Sequence, residues 1–538
     1  MKKNDIFEIE ITGMTDEGDG VGRAENMAVF VPYTIVGETV RVIIVKVLKN
    51  YAFGKLMEVI KPSQNRVKAE CPYFYKCGGC QLWHMNYEEE LAFKHRKVAD
   101  CLKRIGGIDT EIKPVIGADA TIRYRNKVQL PVSEDGIGFY RKNSHDVINM
   151  EDCLLQNEES RMIVLAIRDW ILNNNIAPYN EKANSGDLRH IYIRSGKGGN
   201  LLTLVSKTDN LKNTDELIDA LRKTDVDIAG VILNVNPKNT NVVLGNKNIV
   251  LWGKASIYDN IGDVEFEISP NSFYQVNKEQ TFKLYSTALG MAQLSGKEVL
   301  WDLYCGIGTI GQFMAAKAKK IAGIEIVPQA IEDAKKNAQK NGIANAEYFC
   351  GAAEDLAPML IKKGYKPDVV ILDPPRKGCD EKLLETVIKS KPDRIVYISC
   401  KPSTLARDLK YLSKAYTVTE VVPVDMFPRT AHCETVALLS RQKVQEHIYF
   451  DVNVQDLPKT ARTTATYPEI KAYVKDKYGL NVTSLNIAQV KEKHGFEKRE
   501  NYNKGKGGHR VPNCPPEKEK AIEDLSTLEC SKLAQNRF

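Results

Sequence analysis

The chain has 538 residues, 43% hydrophobic and 27% charged, which describes a soluble globular protein too long for one core and predicts about three or four domains. No apolar run approaches the ~20 residues needed to cross a bilayer, and Met1-Lys-Lys-Asn-Asp lacks the apolar core of a secretion signal, so a cytoplasmic protein without membrane contact is expected. Twelve cysteines at irregular spacings exclude a disulfide framework and point to metal binding or catalysis. The net charge of +7 is uneven: from Arg441 onward, 98 residues carry 18 Lys+Arg against 13 Asp+Glu, an asymmetry that suits a polyanionic partner.

Residues 1–62 alternate apolar and polar positions in short runs, Phe7 to Ile11, Ala28 to Val31 and Thr39 to Val45, with Gly18-Asp-Gly-Val-Gly22 as a turn. This predicts a small OB-like β-barrel, a scaffold suited to single-stranded nucleic acid. Residues 63–90 hold Cys71-x5-Cys77-x2-Cys80, three thiols within ten residues. Gly78-Gly79 lets the backbone wrap closely, and Cys153 is the candidate fourth ligand. The spacing is nearer to iron-sulfur runs than to the paired knuckles of structural zinc, and both metals remain open.

Residues 91–265 mix helical and strand-like runs with basic clusters, Arg123-Tyr-Arg-Asn-Lys127 and Arg189-His-Ile-Tyr-Ile-Arg194. Tyrosine interleaved with arginine suits base stacking and phosphate contact. Ser195-Gly-Lys-Gly-Gly199 reads as a hairpin turn, so a β-rich central domain is expected.

Residues 266–441 alternate strands and helices as in a doubly wound, Rossmann-like sheet. The expected strands are Glu298 to Leu303, Lys320 to Ile326, Ala346 to Phe349, Pro367 to Leu372, Arg394 to Ser399 and Thr435 to Leu439. Asp302-Leu-Tyr-Cys-Gly-Ile-Gly308 opens a helix after the first strand, and Glu325 closes the second, 23 residues after Asp302. A glycine turn with an acidic residue there suits an adenosyl cofactor, the carboxylate accepting ribose hydroxyls. Asp373-Pro-Pro-Arg-Lys-Gly378 ends the fourth strand, its prolines holding Asp373 at the carboxyl edge of the sheet. Cys400 follows the fifth strand, beside Lys401 and a helix start, where a thiol can be held as nucleophilic thiolate. Asp425-Met-Phe-Pro-Arg-Thr-Ala-His-Cys-Glu434 leads into the last strand and brings Glu434 beside Cys400 if the usual strand order holds.

Residues 442–538 predict a basic helical extension. Pro468 opens a helix over Tyr467 to Tyr478, Gly479 stops it, and Thr483-Ser484 caps a second over Leu485 to Lys493. Lys491 to Arg510 carries seven basic residues against three acidic, consistent with an accessory RNA-contacting module or with a packing appendage.

Taken together, residues 1–441 resemble the S-adenosylmethionine-dependent RNA uracil-5-methyltransferases, and most closely their iron-sulfur branch acting on 23S ribosomal RNA. The resemblance implies an N-terminal TRAM domain, Cys400 as nucleophile and Glu434 as base. It implies Gln275, in Ser272-Phe-Tyr-Gln-Val-Asn277, together with Tyr304, Glu325 and Asp373 as ligands of S-adenosyl-L-methionine, and Cys71, Cys77, Cys80 and Cys153 as ligands of a 4Fe-4S cluster. The implied partner is 23S rRNA before full ribosome assembly, with a monomeric enzyme. The same chemistry on transfer RNA, or a noncatalytic RNA-binding iron-sulfur protein, are the alternatives, and the tail lies outside the resemblance.

Overall fold

The computed structural model describes residues 1–442, 467–493 and 514–527. Two compact units divide the chain, residues 1–442 and 443–538.

The N-terminal strands Ile6–Met14, Gly20–Ala24, Met27–Val31, Thr39–Val47 and Tyr51–Lys61 close into a five-stranded barrel. Period-2 alternation sends Ile9, Ile11, Val29, Val31, Val40, Val42 and Ile44 inward. The cysteine loop follows, and the helix Tyr87–Cys101, capped by the Asn86 side chain on Glu89 N, runs through residue 90.

The central region is a seven-stranded sheet in the order Lys247–Gly253, Ile228–Val235, Gly199–Ser206, Leu188–Gly196, Lys127–Ser133, Gly136–Tyr140, Val147–Asn149. Helices Glu158–Asn173 and Thr214–Arg222 contribute Ile163, Ile167, Trp170, Leu217 and Leu221 to its core. Leu188–Gly196 and Gly199–Ser206 form the expected hairpin.

The basic clusters here differ from the expected RNA-facing surface. Arg189, His190 and Arg194 are all buried. Arg189 donates to the carbonyls of Asn236 (2.7 Å) and Lys238 (2.6 Å), and Arg194 to that of Ser272. Arg123 is paired with Asp152 at 2.6 Å. Burial turns these guanidiniums into internal fasteners, leaving Arg125 and Lys127 beside the cysteine loop.

A second seven-stranded sheet runs Ala346–Cys350, Lys320–Glu325, Val299–Leu303, Val369–Leu372, Arg394–Ser399, Glu434–Arg441, Tyr416–Val424. Its first five strands are parallel; Glu434–Arg441 runs antiparallel to them, and Tyr416–Val424 pairs antiparallel with Glu434–Arg441. Buried residues form separate clusters on its two faces, one including Leu300, Ile321 and Val396, the other Trp301, Ala322 and Tyr397. Covering both faces explains why these strands read as apolar runs.

In the C-terminal unit, helices Tyr467–Tyr478, Ser484–Lys493 and Pro516–Thr527 gather around Ile470, Val474, Ile487, Val490 and Ile522. Thr483 and Asn486 cap the second reciprocally, each side chain accepting from the other's backbone N–H. Most of the basic run ending at Arg510 lies outside the described residues. Among the described residues no helix is long and apolar enough to cross a membrane.

Candidate active site

Strand register brings the candidate residues to one edge. Ser399 pairs with Thr435 in antiparallel register, so one step further Cys400 and Glu434 stand side by side. Leu303 pairs with Leu372 in parallel register, which sets Tyr304 beside Asp373. This is the carboxyl edge of the parallel strands, where open α/β sheets bind ligands. Cys400, Glu434, Gln275, Tyr304, Glu325 and Asp373 all line one cavity of about 630 Å³.

Local chemistry holds each of them. Lys401 N donates to Ser399 Oγ at 3.1 Å and Pro402 opens the next helix, fixing the strand-to-helix turn around Cys400. From that helix, Asp408 Oδ2 accepts from Cys379 N (2.8 Å) and from the Tyr397 hydroxyl (2.6 Å), while Thr404 Oγ1 donates to the Arg376 carbonyl at 3.2 Å. The helix after Cys400 thus clamps the Asp373–Cys379 loop. A Cβ at Gly378, whose φ is +78°, would sit 2.5 Å from Asp408 and Arg407, so only glycine fits there. Asn126 Nδ2 donates to the Gln275 carbonyl at 3.0 Å, tying that segment to the central sheet. Glu325 accepts from Gly306 N (3.1 Å) and Val327 N (2.9 Å). Tyr304 adopts a left-handed φ of +67°, a conformation that for a non-glycine residue persists only where the surroundings over-determine it.

Electrostatics couple the groups. Burial, and then the Glu434 charge, push the Cys400 thiol up to about 11, while Arg376 pulls it down. Glu434 is pushed up to about 8 by burial and then by Asp373, against Arg376. Asp373 rises to about 7 through burial and the Asp302 charge. The expectation of a stabilised thiolate is therefore corrected: without RNA the pocket keeps Cys400 as a thiol, because desolvation disfavours the anion. The cation that favours the thiolate is Arg376, and the neighbouring Lys401 is solvent-exposed.

Arg376 and His432 were not singled out from the sequence, although both lie inside motifs that were. Their side chains meet at 3.4 Å and both line the cavity. Burial and then Arg376 hold His432 down at about 4, so it is neutral. Phe273 and Phe427 also line the cavity, Phe273 being 65% exposed, and offer apolar faces to a planar ring.

The other candidate set gathers elsewhere. Cys71, Cys77, Cys80 and Cys153 line a second cavity of about 350 Å³ with Phe74, Trp83 and Leu155. All four are free, and burial raises each thiol, Cys153 to about 11. Gly79 N donates to Cys77 Sγ at 3.3 Å, and the buried Trp83 side chain hydrogen-bonds the Cys80 sulfur, which works against the effect of burial there. Among the described residues no three His, Cys, Asp or Glu side chains converge to hold a single metal ion.

Residues 200–442 match the family described as tRNA (uracil-5-)-methyltransferase, and residues 2–57 match the TRAM domain. Proteins of Clostridium tetani and Clostridium acetobutylicum, both described as uncharacterized RNA methyltransferases, are each 48% identical over 82% of this chain and 97% and 98% of their own lengths. A crystal structure of Pyrococcus abyssi tRNA (uracil-54, C5)-methyltransferase with S-adenosyl-L-homocysteine is similar over 80% of this chain and 100% of that one, with TM-score 0.66 and 29% identity. The chain therefore belongs to the uracil-5-methyltransferase family of S-adenosylmethionine-dependent RNA methyltransferases, with an N-terminal TRAM domain.

Proposed function

We propose that the protein methylates C5 of a uracil in 23S ribosomal RNA, with Cys400 as nucleophile and Glu434 as base. The observation that carries this reading is the adjacency of Cys400 and Glu434 across paired strands, in the same cavity as Tyr304, Glu325 and Asp373. Bound S-adenosylmethionine supplies an electrophilic methyl group on its sulfonium. The cavity suits it: Glu325 lines it with a carboxylate that can accept from ribose hydroxyls, and the turn after Tyr304 leaves open space beside Gly306.

Uracil C5 is a weak nucleophile, so the chain's task is to activate it. Cys400 gives up its proton to solvent and its Sγ adds to C6, and the C5–C6 π electrons move to give an enolate whose C5 accepts the methyl. Arg376 beside the thiol stabilises negative charge there as it forms. Glu434 then removes the C5 proton, the double bond reforms, and the C6–S bond breaks to release Cys400. A carboxyl near 8 is matched to proton transfer at neutral pH. The target uracil must leave its stack to reach the cavity, so a loop or flipped base is the substrate.

A 4Fe-4S cluster in the second cavity fits the residues present. Four thiols line one cavity of about 350 Å³, the donor set of a Cys-ligated iron-sulfur centre, and the Trp83 side chain already hydrogen-bonds the Cys80 sulfur. Bound there, it would tie the Cys71–Cys80 loop to Cys153 and need contribute no electron to methyl transfer. Cys77→Ser should lower iron content and the melting temperature, with loss of RNA methylation following; unchanged iron and unchanged methylation together would refute the cluster.

Transfer RNA is the second reading, favoured by the substrate named for the Pyrococcus abyssi enzyme. Purified protein with methyl-labelled cofactor, given 23S rRNA and tRNA transcripts in parallel, should place 5-methyluridine in the rRNA. Label confined to tRNA would overturn the ribosomal assignment, and label in neither would overturn the activity.

A further inference from the structure

The Pro428–Ala431 turn lies just ahead of His432 and Glu434, and five of its backbone atoms are held from outside. Pro428 O accepts from the Tyr124 hydroxyl at 3.0 Å, and Arg429 N donates to Glu90 Oε1 at 2.7 Å. Arg429 O accepts from both Gln81 N and Leu82 N, each at 3.1 Å. Ala431 N donates to Gln81 Oε1 at 3.2 Å, and Ala431 O accepts from Lys97 Nζ at 2.8 Å. Glu90 is itself fixed by the buried Lys94, which also donates to Asp425 Oδ1 at 2.6 Å.

Within this turn Arg429 has a φ of +68°. A left-handed arginine is strained and survives only under such over-determination, as at functional sites. Gln81 supplies two of the fastenings and follows Cys80 directly. Its amide also donates to Gly78 O at 3.2 Å, so one side chain joins the cysteine loop to the turn that precedes Glu434.

We propose that Gln81 is a positioning residue that carries the fixed geometry of the cysteine loop to the Pro428–Ala431 turn and so aims the Glu434 carboxylate at the C5 proton. The proposal rests on Glu434 being the base. It gives the cysteine centre a task in the reaction without redox chemistry: a rigid loop there becomes a rigid base. Gln81 touches neither nucleophile nor methyl donor, so its loss should slow proton removal and leave the earlier steps in place.

The test uses the full-length, iron-loaded protein, a 23S rRNA transcript and, in a parallel arm, tRNA transcripts. Gln81→Ala should lower kcat about tenfold, the scale of a small misplacement of a reacting group, with KM and iron content unchanged. The RNA-linked protein that survives denaturing electrophoresis should accumulate at steady state, since methylated adduct now waits for its proton to leave. Gln81→Glu keeps an acceptor for Ala431 N and should restore kcat to within about threefold of the parent, as one retained hydrogen bond allows. Glu434→Gln is the control. If Glu434→Gln traps adduct while Gln81→Ala does not, or if Gln81→Glu is as slow as Gln81→Ala, the positioning role falls and the base stands. If Glu434→Gln traps none, the base assignment falls and this inference with it.

Discussion

Cys400→Ala should abolish 5-methyluridine formation, by on the order of 10⁴-fold or more as for removal of other covalent nucleophiles, with no RNA-linked protein at any time. The loss is large because no other described thiol stands there: among the described cysteines only Cys400 lines the cavity that holds Glu434. Cys433 is adjacent in sequence to Glu434, but its Sγ points away to the carbonyls of Val424 and Glu434 and is fully buried. Binding should survive, since the residues proposed to hold the cofactor are untouched. S-adenosylhomocysteine affinity should stay within about twofold, and melting within the shift expected of about 1 kcal/mol for a partly buried side chain. RNA carrying 5-fluorouracil sharpens the measurement, because fluorine at C5 cannot leave as a proton does. The parent protein should be trapped on it in the presence of cofactor, and Cys400→Ala should not. Trapping by the alanine variant would mean that another residue attacks C6.

The candidate residues could be picked out of the sequence because they sit where a strand run stops. Arg394 to Ser399 is apolar and ends at a Cys-Lys-Pro turn, and Val369–Leu372 ends at Asp373-Pro-Pro, so the sheet edge can be found without knowing the sheet. Strand Tyr416–Val424 was not foreseen. It carries Pro423, which argues against a central strand, and it lies at the edge of the sheet, where a missing N–H is tolerated. The basic clusters misled for a different reason. Composition cannot distinguish an arginine facing RNA from Arg189, whose partners lie 47 and 49 residues away, or from the Lys94–Asp425 contact across 331 residues. Arg376 and His432 meet across 56 residues, and local sequence carries no sign of it. Contacts set by tertiary packing were the part that sequence could not supply.

Glu434→Gln should halt the enzyme after methyl transfer, with protein covalently attached to methylated RNA and turnover reduced on the order of 10²–10⁴-fold, the range for loss of a general base. The pH behaviour separates this from mere damage to the pocket. With Glu434 near 8 and Cys400 near 11, the unliganded pocket at neutral pH holds a proton on each group, and the two titrate as a coupled pair. Single-turnover release of 5-methyluridine by the parent should therefore rise between pH 6 and about 8.5 as the carboxylate forms, and Glu434→Gln should lose that rise. Stability runs the opposite way. Glu434 is raised from 4.5 in the unfolded chain to about 8 in the fold, so the folded form binds its proton more tightly. Its contribution is fully present below pH 4.5 and disappears as pH climbs through about 8. Asp373, raised to about 7, acts in the same sense. Against the parent, Glu434→Gln should thus gain melting temperature as pH rises from 5 to 9, while its turnover falls further behind. A variant whose deficit in turnover and change in melting were both independent of pH would show that Glu434 does not titrate in the cavity, and the base would have to be sought among the other groups there.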